Sequence, residues 1–338
     1  MSETSVGLLL LLLAGVMNSS FTVPMKFTRK WAWENTWLAW TIFALLVLPV
    51  AVTCATIPGL GGVYEAAGGV LVAKVLVFGA GWGIAQVLFG LAVDTIGIAL
   101  TFSIVLGLSA ALGSVIPLLQ LHRDAMFTGA GLGVLAGVAL VIVGVSVLAV
   151  AGRRREEAMG AAPEPGKSFG RGLAMALSAG VLAAFMNFAV AFGGPLIDLA
   201  RKAGAGAVWA PNAIWLLVMT AGAVPNLIYC LYLVRRNRTG GRFGETGTGT
   251  YWLLALIMAI FWFVSTLLYG VASGKMGSLG PALGWPLFMS LIVILATTLG
   301  YLTGEWKRAA GKPVRIMVAG VAVLVVAVVI LSIASRSV

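Results

Sequence analysis

Ten windows of about 20 predominantly apolar residues follow one another along the chain, and none has an Asp, Glu, Lys, Arg or His in its middle third. They run approximately over 5–24, 36–57, 70–92, 95–119, 127–150, 171–193, 208–234, 251–272, 279–303 and 314–334. A helix satisfies its backbone hydrogen bonds internally, so windows of this length with uncharged centres point to a helical bundle in lipid. The expected fold class is an all-α polytopic membrane protein with ten transmembrane helices. Charged residues make up 10% of the 338 positions, too few to cover a soluble globule of that size. The 44 glycines suit helices that approach closely in lipid. Leu8 to Leu13 looks like the core of a signal peptide, but Glu3 and the lack of Lys or Arg before it argue for a permanent first helix.

The net charge of +11 would suit nucleic acid if it covered a soluble face. Here the basic residues lie between the windows, where they set topology, so no nucleic-acid partner is expected. The odd-numbered connections hold 16 Lys and Arg: Lys26, Arg29, Lys30, Arg153, Arg154, Arg155, Lys167, Arg171, Arg235, Arg236, Arg238, Arg242, Lys307, Arg308, Lys312 and Arg315. The even ones hold 5, namely Lys74, Arg123, Arg201, Lys202 and Lys275. The excess puts the odd connections in the cytoplasm and both termini outside, in the periplasm. Cys54 and Cys230 fall in apolar segments and His122 is the single histidine, so neither a disulfide framework, a metal site nor a cofactor is expected.

The chain also carries a weak internal duplication. Trp82, Gln86, Leu88, Phe89 and Gly90 align with Trp262, Thr266, Leu268, Tyr269 and Gly270 at an offset of 180. Met17-Asn18 returns as Met186-Asn187, and Ala136-Gly137-Val138-Ala139 returns as Ala319-Gly320-Val321-Ala322. Five helices per half is an odd number, so the second half enters from the opposite side and the expectation is two inverted five-helix repeats. The repeats cover 1–151 and 171–338, with a cytoplasmic linker over 152–170 that contains Pro163 and Pro165.

The missing mid-depth charge argues for a neutral ligand, since an ionisable group in lipid is costly and normally marks function. Neutral polar and aromatic side chains remain: Asn18, Gln86, Asn187, Trp262, Ser265, Thr266 and Tyr269. Trp82, Gln86 and Phe89 share one narrow helical arc, with Gly79, Gly83 and Gly90 in a stripe beside it. Amides that bond vicinal hydroxyls, with flat rings against C–H faces, suit a neutral sugar. The same amides also join helices in membranes, so either role is open for each. Trp31, Trp33, Trp37 and Trp40 read as an interfacial aromatic belt. Pro117, Pro195, Pro211, Pro225, Pro281 and Pro286 mark candidate interruptions. A lipid-modifying enzyme would want clustered carboxylates, histidines or a nucleophile at one interface, and the chain supplies no such cluster.

Three stretches resemble the bacterial L-rhamnose-proton symporter family of the drug/metabolite transporter superfamily. They are Pro24 to Trp37 (PMKFTRKWAWENTW), Phe78 to Ile84 (FGAGWGI) and Gly304 to Val314 (GEWKRAAGKPV). The resemblance implies ten helices, an inner-membrane location and alternating-access uptake of a 6-deoxyhexose by proton symport. A proton-independent facilitator, or an exporter or exchanger of another neutral metabolite, is the alternative. Substrate contacts are then expected from Asn18, Trp82, Gln86, Phe89, Asn187, Trp262, Ser265, Thr266 and Tyr269. Glu34, in the first family-like stretch, is the first candidate for proton coupling and Asp94 the second. The proton is the coupling ion expected, the lipid bilayer and a small neutral sugar the partners, with no obligatory protein partner.

Overall fold

The computed structural model describes residues 2–160, 168–304, 306–309 and 311–336. Pro163 and Pro165 of the expected linker and Glu305 lie outside these residues. Among the described residues, ten helices are long and apolar enough to cross a membrane: α1 Glu3–Phe27, α2 Trp33–Thr56, α3 Gly69–Ile96, α4 Ile98–Leu121, α5 Gly129–Ala158, α6 Phe169–Phe192, α7 Asn212–Arg236, α8 Gly249–Lys275, α9 Gly280–Leu302 and α10 Lys312–Ala334. No strand occurs among the described residues.

The boundaries depart from the apolar windows for local reasons. The third and fourth apolar windows leave a tight turn at Asp94-Thr95 between them, yet α3 continues to Ile96 and the chain turns at Gly97, whose φ of 85° is open to glycine at little cost. Thr95 stays helical, its hydroxyl bonding back to Leu91 O at 2.7 Å. Beyond its apolar window, α5 runs on to Ala158, held by an Arg153–Glu157 pair one turn apart. Residues 152–158 of the expected linker are therefore helical. Glu156 reaches back to accept the Ala99 N–H at 3.4 Å, placing a carboxylate at the start of α4.

Of the prolines named above, Pro195, Pro211 and Pro281 stand at helix starts. Pro117, Pro225 and Pro286 sit inside continuous helices. Instead α2 widens into a π turn over Ile42–Val47, ahead of Pro49, and α6 breaks at Ala184, three residues before Asn187. The cylinder of α1 tightens into a 3-10 turn over Val23–Phe27, beyond Asn18.

Packing is reciprocal between the halves. Helix α1 lies against α8 and α9, whereas α6 lies against α3 and α4; α2 and α3 both touch α7, and α5 pairs with α10 along the edge. The α3–α7 crossing is close because a methyl on Gly79 or Gly83 would run into the backbone of Val218 or Gly222. Gly90, in the same stripe, has open space beside it.

The two ends differ. At the end bearing the even connections, two short helices, Leu60–Ala67 and Gly194–Lys202, pack on one another over the bundle. There residues 282–290 of α9 are all buried. From 291 to 299 the same helix has no buried residue. Met17 to Ser20 of α1 and Gln86 to Gly90 of α3 are likewise only half-buried. The bundle is sealed toward the even end and looser toward the odd end.

Candidate functional site

The matched tryptophans of the two halves meet at mid-depth. Trp82 of α3 stacks on Trp262 of α8, ring centroids 5.5 Å apart and planes inclined by 22°. Trp40 of α2 meets Trp262 edge-on at 5.3 Å, and Phe21 and Trp37 extend the cluster at 5.7 and 4.5 Å from Trp40. Trp40 is 1% exposed and its Nε1 has no hydrogen-bond partner among the described residues. The belt reading is therefore corrected for Trp40, and for Trp31, which is buried against Phe243, Tyr251 and Trp252. Only Trp33, stacked on Trp37 and 41% exposed, keeps the character of an interfacial ring. The π turn that follows Trp40 in α2 was not legible in the apolar pattern.

Beyond that meeting point the two aromatic-polar faces separate. Helix α3 enters from the even end and α8 from the odd end, so they run antiparallel. Gln86 and Phe89 proceed from Trp82 toward the odd end, while Thr266 and Tyr269 proceed from Trp262 toward the even end. The two faces therefore do not oppose one another beyond the stacked indoles. Phe89 packs edge-on against Phe102 of α4 at 4.8 Å. Gln86 is half-buried and makes no hydrogen bond among the described residues.

The two matched asparagines sit in contrasting environments. Asn18 Nδ2 donates to Ser265 Oγ at 2.9 Å, and its Oδ1 has no further bond among the described residues. Ser265 in turn donates to Trp262 O at 2.8 Å, so Asn18 is tied to the turn of α8 that carries the stacked indole. Asn187 is fully buried and fully used. Its Nδ2 donates to Gly113 O at 2.6 Å and Pro281 O at 3.0 Å, while its Oδ1 accepts the Tyr269 hydroxyl. Tyr269 stacks on Phe288 at 5.1 Å, and Trp285 Nε1 donates to Ser109 O at 3.0 Å. Thr266 spends its hydroxyl on its own helix, at Trp262 O and Phe263 O. Asn226 likewise serves the α3–α7 crossing, bonding Gly83 O and Gly222 O.

Glu34, 5% exposed, is the only buried charged residue among those described. Its Oε1 accepts Asn237 Nδ2 at 3.0 Å and Thr239 Oγ1 at 2.9 Å from the connection after α7. Asn35 donates to Thr239 O at 3.0 Å, Trp31 to Arg242 O at 3.1 Å, and Lys30 to Thr246 O at 2.6 Å. Together these bonds clasp the first connection to the seventh at the odd end. Asp94, in the last turn of α3, is exposed. No group of three or more His, Cys, Asp or Glu placed to hold a metal occurs among the described residues.

An all-helical membrane protein with an uncharged aromatic and amide site at mid-depth, sealed at one end, has the build of a carrier for a small neutral solute. Residues 1–337 match the family of the L-rhamnose-proton symport protein (RhaT), and the chain belongs to that family. Relatives named L-rhamnose-proton symporter include one from Mannheimia succiniciproducens, 27% identical over 315 residues, 91% of each chain. Others come from Yersinia pestis and Yersinia pseudotuberculosis, each 26% identical over 329 residues and 95% of each chain.

Proposed function

We propose that the protein takes up L-rhamnose, or a closely related 6-deoxyhexose, by proton symport across the bacterial inner membrane. The observation that carries this is the whole-length family match together with a mid-depth site of amides and indoles free of charge. A deoxyhexose offers hydroxyls to Asn18 and Gln86 and an apolar face to Trp82, Trp262 and Trp40. Relatives named as symporters support transport rather than catalysis. Asn187 and Tyr269, whose polar atoms are already bonded across helices, hold the even end together in this state, whereas Thr266 bonds only its own helix.

The halves work as inverted repeats that rock about the Trp82–Trp262 contact. Reciprocal packing of α1 and α6, and the stacking of residues matched by the duplication, support that arrangement. With the Lys and Arg excess inside and the termini in the periplasm, the sealed even end faces the periplasm and the looser, clasped odd end faces the cytoplasm. Glu34 carries the proton and the exposed Asp94 does not. Protonation takes the charge from the two bonds that Glu34 accepts, which roughly halves their strength and loosens the clasp between the halves.

Uptake of labelled L-rhamnose into proteoliposomes, acid outside, tests the reading. Accumulation above the external concentration, abolished by a protonophore, is expected. Absence of both uptake and binding contradicts sugar transport; equilibration that ignores the proton gradient leaves a facilitator instead. Glu34→Gln is expected to equilibrate rhamnose without accumulating it, and intact accumulation removes Glu34 from the mechanism.

A further inference from the structure

The sealed even end contains polar atoms that the packing leaves unused. Asn212, the first residue of α7, is fully buried, yet neither its Nδ2 nor its Oδ1 has a partner among the described residues. Trp215 Nε1 on the same helix and Ser273 Oγ on α8 are buried and unpartnered in the same way, with their residues 1% and 2% exposed. Trp215 faces the turn of α8 that precedes Ser273. A methyl on Gly270 of α8 would come within 2.9 Å of Trp215 Nε1 and 3.1 Å of Pro211 Cβ. One turn further along α8, Ser273 is backed by Gly280 at the start of α9, where a methyl would lie 3.3 Å from its Oγ.

Buried polar side chains that join helices do so by finding partners on the neighbouring helix, as Asn187 does at Gly113 O and the Tyr269 hydroxyl and Asn226 does at Gly83 O. Four unpaired atoms at the even ends of α7 and α8 forfeit their hydration without return, so they weaken the state in which they are found. That state is held shut from the other half. Thr53 Oγ1 of α2 donates to Asn212 O at 3.4 Å, and Tyr64 Oη of the short helix Leu60–Ala67 donates to Ala213 O at 3.0 Å. Burial pushes the Tyr64 phenol above its ordinary pKa, so it remains a donor throughout the neutral range.

We propose that Asn212, Trp215 and Ser273 form an outer subsite for the hydroxyls of the entering monosaccharide, filled when the even end opens and stripped of partners when it closes. The inference rests on the transport reading and adds a second sugar contact, nearer the periplasm than Gln86. The subsite offers an amide, an indole N–H and a hydroxyl, with the Trp215 and Tyr269 rings 6.4 Å apart beside it. Its unpaired atoms also keep the closed end from becoming a trap.

Trp215→Phe and Ser273→Ala each delete one unpartnered atom and no bond seen here. Both are expected to raise the external rhamnose concentration for half-maximal uptake about three- to tenfold, the loss of one hydrogen bond. Wild-type half-saturation in both, with raised thermal stability, overturns the subsite, because that is how atoms buried by packing alone behave. A second measurement uses Ser273→Cys with Cys54 and Cys230 replaced by Ala. An impermeant maleimide outside is expected to label it, and rhamnose to slow the labelling. No labelling, or labelling that rhamnose leaves unchanged, is equally fatal. Wild-type vesicles that take up no rhamnose sink the transport reading itself, and the subsite with it.

Discussion

Asn18 and Asn187 occupy matched positions in the two halves, follow the same Met, and do different work. Asn187 lies fully buried among α4, α8 and α9, with every bond it makes going to protein. Asn18 is half-buried and spends one donor on Ser265, leaving its carbonyl open on the looser side of the bundle. The difference lies in the ends of the molecule rather than in the residues. On the proposed transport reading, the amide at the sealed end serves as structure while its counterpart at the looser end serves as ligand, and the two would exchange duties when the bundle rocks.

Substitutions can break or sharpen this contrast. The largest effect is expected from Asn187→Ala, which strands the Gly113 and Pro281 carbonyls and the Tyr269 hydroxyl in the interior. Denaturation of the purified protein should show a loss of about 2–4 kcal/mol. Asn18→Ala should cost only about 0.6 kcal/mol of stability, the average for such bonds in a membrane. Its rhamnose affinity should fall about tenfold, or about 1.4 kcal/mol, by equilibrium titration. If the stability losses are equal, the contrast between the two amides is gone. The smallest effect belongs to Thr266→Val. The hydroxyl bonds only its own helix, so stability should move by less than about 0.5 kcal/mol and affinity not at all.

The ten spans were legible because window length and apolar content are local properties that lipid enforces. The alignment of Trp82 with Trp262 was legible as a duplicated pattern, whereas their stacking on one another is set by tertiary packing. Direction followed from the count of crossings, since an odd number per half sends Gln86 toward one end and Tyr269 toward the other. Trp40 was taken for an interfacial ring because sequence places it near a helix start, and the rotation that buries it is fixed by tertiary packing. Glu34 was singled out by its motif, but its partners Asn237 and Thr239 lie 203 and 205 positions away. The short helix Leu60–Ala67 gave little signal, since eight residues between two glycines are no more than a loop by pattern.

Gln86 offers the most direct test of the central claim, that a neutral sugar is held on the open side of the stacked tryptophans. It makes no bond to protein among the described residues, so Gln86→Ala should leave the melting temperature of the ligand-free protein unchanged. Titration of that purified variant with L-rhamnose should show affinity reduced about tenfold or more. A variant that folds as the wild type does and binds rhamnose with wild-type affinity would contradict the account.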